Sequence, residues 1–108
     1  MIVSESDVTF VTAQAVIDIQ RERQKQDAKW GEQNRCPTAY IAICAEELGE
    51  ATKHALTLDL VRVTVEEIDS YRTEMVQLAA SAQAAVEAID RDKWKPGELR
   101  SQNGKPEN

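Results

Sequence analysis

The chain has 108 residues, enough for one domain with only a modest apolar interior, so association between copies is expected. Its Lys and Arg number 13 against 19 Asp and Glu, giving a formal net charge of −6 and a pI near 4.8, which argues against a nucleic acid polymer or an anionic membrane surface as partner. No apolar run approaches the roughly 18 residues of a membrane span. Cys36 and Cys44 lack the paired spacing of a zinc site and no cationic-then-apolar leader opens the sequence, so a reducing cytoplasm is the expected compartment.

Strand signals are weak: Gly is scarce, and no Asn-Gly or Asp-Gly turn separates alternating segments. Ala, Glu, Gln, Leu and Arg fill the middle of the chain, which points to an all-α fold. The first helix is expected over 12–29, with Thr12 as N-cap and the Trp30-Gly31 step as its end. Its apolar residues Ala15, Val16 and Ile19 lie in the first half, and Gln20 to Lys29 is almost wholly polar. After Pro37, Thr38 is placed to cap a second helix from about Ala39, with an apolar stripe of Ile41, Cys44, Leu48, Ala51 and Ala55. Val61, Val63 and Val65 alternate with polar residues, but they have no second strand to pair with.

Thr64 and Glu67 form a Thr-x-x-Glu capping box at the start of a third helix reaching about Asp92. Its stripe of Ile68, Tyr71, Met75, Leu78, Ala82, Val86 and Ile89 is long enough for a bundle or subunit seam. The expected architecture is an antiparallel bundle of three main helices per chain, completed by homo-oligomerisation. Residues 1–92 form the domain, and 93–108, holding Pro96, Gly97, Gly104 and Pro106, read as a flexible polar tail.

The chemistry-bearing residues are Glu46, Glu47 and Glu50 on the second helix, with Glu74 and Gln77 on the third. Members of each pair three apart project from one helical face. Glu47 and Glu50 immediately precede Leu48 and Ala51, just as Glu74 and Gln77 precede Met75 and Leu78, so both pairs occupy the same rim of their stripes. In an antiparallel hairpin both rims face one cleft, each roughly 15 Å from the turn at about 1.5 Å per residue. Carboxylates so gathered repel one another unless a cation compensates them, and an all-oxygen set suits Mg²⁺, with Mn²⁺ as the alternative. Mg²⁺ also recruits substrate phosphates. The plainer account is that Glu is a strong helix former and acidic pairs decorate solvated faces. A ferritin-like di-iron site needs Glu-x-x-His, and the single histidine, His54, follows Glu50 by four.

The run Glu46-Glu47-Leu48-Gly49-Glu50, followed after 23 intervening residues by Glu74-Met75-Val76-Gln77, resembles the Glu-x-x-Glu…Glu-x-x-Asp signature of the all-α MazG-like nucleotide pyrophosphohydrolases. Glu22-Arg23 through Gln26 to Lys29-Trp30-Gly31 is similar to the end of their first helix. The resemblance covers about residues 12 to 90. It implies Mg²⁺ ligation by Glu47, Glu50 and Glu74, with Gln77 where the signature has Asp and Glu46 as an auxiliary or water-positioning carboxylate; Glu46 and Glu47 are thus the candidate catalytic residues. It also implies cleavage of a nucleoside triphosphate between the α and β phosphates, giving a monophosphate and pyrophosphate by in-line attack of water. A glutamine at 77 contributes no charge and cannot act as a base near neutral pH. That departure leaves a second expectation, a MazG-like helical module that binds nucleotide or a protein partner without turnover.

Lys53 is placed to reach a phosphate or to pair with Glu50 within its own helix, a contact worth about 0.2–0.5 kcal/mol. Trp30 is placed to stack on a nucleobase, with Gln26 and Lys29 lining its pocket, or else to plug a core or subunit contact. His54 reads as a helix-surface residue, Cys44 as a small core residue, and Cys36 as an exposed loop thiol. The expected partners are a nucleoside triphosphate substrate and further copies of the chain, as a homodimer or homotetramer.

Overall fold

The computed structural model describes residues 5–94 and 96. It is built from three helices, α1 (Glu5–Trp30), α2 (Pro37–Leu60) and α3 (Val65–Asp90), and contains no strand among the described residues. The valines at 61, 63 and 65 fall in the α2–α3 connection and the first position of α3. The expected flexible tail lies almost wholly outside the described residues.

Helix boundaries follow local chemistry, with two differences from expectation. Thr12 lies inside α1, which begins at Glu5, because neither Gly nor Pro interrupts the stretch between them. At its other end, Gly31 adopts φ +74° and its N–H donates to Asp27 O at 2.8 Å, a left-handed stop that suits glycine. Cys36, rather than Thr38, occupies the N-cap of α2, with Pro37 at the first helical position. A proline costs nothing there, since that N–H would have no helical acceptor. Thr64 caps α3, its Oγ1 accepting from Glu67 N at 3.1 Å. Only this half of the capping box forms, for the Glu67 carboxylate instead meets His54 Nδ1 at 2.7 Å.

Both α1 and α2 pack on α3, and they do not pack on one another. The buried apolar residues are few and mostly small: Tyr40, Ala51, Ala80 and Ala88. Tyr40, Glu47, Ala51 and His54, spaced by seven, four and three, make up the inner face of α2, where each is buried or half-buried. On α3 the corresponding face carries Glu67, Glu74, Gln77, Ser81, Ala84 and Ala88. The helices therefore meet along the polar rim. The stripes expected to form the core do so only in part: Ala51 is buried and Cys44, Ala55, Tyr71 and Leu78 are half-buried, while Ile41, Leu48, Ile68, Met75, Val86 and Ile89 are exposed. On α3, Met75 and Ala84 stand roughly 180° apart at about 100° per residue, so the apolar stripe lies behind the face that meets α1 and α2.

The connection between α1 and α2 is pinned at several points. Tyr40 Oη donates to Gln33 O at 2.7 Å, and the Gln33 side chain donates to Trp30 O at 2.8 Å. Arg91, just beyond α3, donates to Asn34 Oδ1 and Gln33 O. These bonds fix one end of the cleft that α1 and α2 leave open above α3.

Candidate active site

That cleft forms a cavity of about 400 Å³. From α1 it is lined by Glu22, Arg23, Lys25, Gln26, Asp27, Lys29 and Trp30, from the α1–α2 connection by Gln33 and Arg35, from α2 by Tyr40, Ile43 and Glu47, and from α3 by Gln77, Ser81 and Ala84, whereas Glu46 and Glu74 lie outside its lining. The polar second half of α1 is thus polar because it walls a cavity. Gln26, Lys29 and Trp30, expected as substrate contacts, line the same cavity as Glu47 and Gln77.

Glu47 is the most perturbed acid of the cavity. Burial pushes its carboxyl up, as do the negative charges of Glu74, Glu46 and Glu22. The Glu47 carboxyl thus stands among like charges, which a cation would offset. No Lys, Arg or His among the described residues forms an ion pair with Glu22, Glu46, Glu47 or Glu74. Glu50 behaves differently. It is exposed and pairs with Lys53 Nζ at 3.2 Å, an ordinary contact three residues apart on one helix, and neither residue lines the cavity. As the side chains lie, no three His, Cys, Asp or Glu among the described residues are grouped closely enough to hold a metal ion.

In the same cavity, Arg23 is 6% exposed although it is charged. Its guanidinium donates to Glu87 at 2.6 and 3.3 Å, to Asp27 at 3.3 Å and to Gln26 Oε1 at 2.9 Å. The hydrogen bond from Arg23 holds the Glu87 carboxyl down at about 2, with help from Gln83 and Arg91. Lys29 Nζ lies 4.8 Å from the centre of the Trp30 ring, a cation–π contact at the cavity mouth.

Glu22 and Arg23 as site residues escaped the sequence reading. They belong to the quoted Glu22-Arg23 run, but their partners, Glu47 and Glu87, lie on other helices. His54, read as a surface residue, is half-buried and joined to Glu67. Cys44 is half-buried on α2, and burial raises its thiol, with the Glu47 charge adding to the effect.

No protein-family profile, curated protein or solved structure matches this chain.

Proposed function

We propose that this chain hydrolyses nucleoside triphosphates to monophosphate and pyrophosphate with the help of Mg²⁺. The observation that carries this reading is the presence in one cavity of Glu22 and Glu47, neither with a basic ion-pair partner, together with Gln26, Lys29 and Trp30, while the charges of Glu74 and Glu46 also act on Glu47. The donors are oxygens, and the repulsion that raises Glu47 is what a divalent cation would relieve. The donor chemistry therefore fits Mg²⁺, with Glu47 and Glu74 holding it and Glu50 joining after release from Lys53.

Bound Mg²⁺ would supply positive charge against the phosphate oxygens. Glu46, exposed beside Glu47, is the carboxylate left to orient a water, and Gln77 provides an amide oxygen without charge. Lys29 and Trp30 would hold the nucleoside end. The His54–Glu67 bond, together with the Glu74 charge acting on Glu47, supports an antiparallel α2–α3 hairpin, in which matched rims face one cleft.

The functional particle in this reading is a homodimer or a larger homo-oligomer. Large apolar residues of one α3 stripe, Ile68, Met75, Val86 and Ile89, are exposed, and a second copy offers an identical face to cover them. The cytoplasm is the proposed compartment.

Binding without turnover is the second reading, favoured by the amide at Gln77 and by the Glu50–Lys53 ion pair. Pyrophosphate release from a panel of deoxynucleoside triphosphates, with Mg²⁺ and with chelator, separates the two. Release that stops with chelator and in Glu47→Gln supports hydrolysis; nucleotide binding without any release rejects it.

A further inference from the structure

We infer that the cavity reads a carbonyl oxygen at the 6-position of a purine or 4-position of a pyrimidine, through the Gln26 carboxamide held in one orientation by Arg23. This rests on the proposed nucleotide-binding role of the cavity and adds a base preference to it.

Arg23 Nη1 donates to Gln26 Oε1 at 2.9 Å. A guanidinium has five N–H donors and no acceptor, so only the carbonyl end of the amide can face it. The Gln26 NH₂ must then point away from Arg23, and it has no acceptor among the described residues. Reversing the amide would set two donors against each other at a guanidinium that is 6% exposed and already tied to Glu87 and Asp27. A buried cation leaves little water to soften that conflict. Arg23 therefore fixes which end of Gln26 the cavity receives.

Position agrees with a base-reading role. Gln26 is half-buried and lines the cavity one helical turn from Glu22, beside the acid wall, and one turn before Trp30. Each step spans about 6 Å along α1 at about 1.5 Å rise per residue. With phosphates drawn to the acid wall and a ring lying against Trp30, the edge of the base falls to Gln26. An amide that offers only N–H accepts guanine, thymine and uracil, which carry oxygen at that edge. It is mismatched to adenine and cytosine, which carry an amino group there.

Equilibrium binding of dGTP, dTTP, dATP and dCTP in the presence of Mg²⁺, followed alongside pyrophosphate release, tests this. Wild type is expected to bind dGTP and dTTP about tenfold more tightly than dATP and dCTP, the effect of one made or unmade hydrogen bond. In Gln26→Glu one carboxylate oxygen stays on Arg23 and the other becomes an acceptor, so the order should reverse. Gln26→Met removes both ends and should level the four. An unchanged order in Gln26→Glu, or no preference in wild type, overturns the inference. Selective binding without release refutes hydrolysis but upholds the base reading, and release without base preference does the opposite. Absence of nucleotide binding rejects both.

Discussion

Replacing Glu87 with glutamine isolates its ion pair with Arg23, at 2.6 Å the shortest among the described residues. Arg23 is almost fully enclosed, and its guanidinium holds the Glu87 carboxyl at about 2, against an ordinary 4.5. Each pKa unit corresponds to about 1.36 kcal/mol, so the unscreened pair would stabilise by about 3 kcal/mol. The Glu87 side chain keeps 32% of its surface in water, which lowers the expected contribution to about 1–2 kcal/mol. Because the folded value lies below the unfolded one, this stability is present above about 4.5 and is lost as the pH falls towards 2. Urea unfolding followed by circular dichroism, at one fixed protein concentration, should show Glu87→Gln less stable than wild type by that amount at neutral pH. The two curves should converge across that acid window. Equal stability at neutral pH, or a gap that persists undiminished below it, would refute the assigned pairing.

Three further outcomes follow from the same geometry. Glu47 has the opposite sign, its carboxyl being raised by burial and neighbouring acids, so Glu47→Gln should raise the thermal midpoint at neutral pH without metal. That gain should vanish below the ordinary carboxylate range, and a neutral or destabilising effect at neutral pH would count against the crowded acid wall. Met75→Glu places a charge in the centre of the exposed α3 stripe and should shift sedimentation from oligomer to monomer; an unchanged particle mass would move the interface elsewhere. Thr64→Ala removes the hydroxyl that accepts from Glu67 N and should cost about 1 kcal/mol of stability, with no loss meaning that water replaces the cap.

The sequence carried the three helices, the Thr64 cap and the acidic spacing, because each is written in residues within a turn or two of one another. It misled on which faces meet. An apolar stripe announces that something must cover it, without saying whether the cover comes from the same chain. Here Ile68, Met75 and Val86 face outward, and α3 offers Ser81, Ala80 and Ala88 to its own neighbours. Small residues allow close approach, and their low hydrophobic content gives little signal in a pattern built on large side chains. Arg23 was hidden for a related reason. A buried arginine looks like a surface one until Glu87, 64 positions away, is brought beside it.

Metal-dependent hydrolysis requires Glu47 and Glu74 to take up a divalent cation. Titration of Mn²⁺, read by its electron paramagnetic resonance signal, measures this without requiring turnover and can be competed with Mg²⁺. Wild type should bind Mn²⁺ and release it to Mg²⁺, Glu47→Gln and Glu74→Gln should each lose most of the affinity, and Glu66→Gln, at the start of α3, should not. Equal Mn²⁺ binding in all four proteins, or none in wild type, would contradict it.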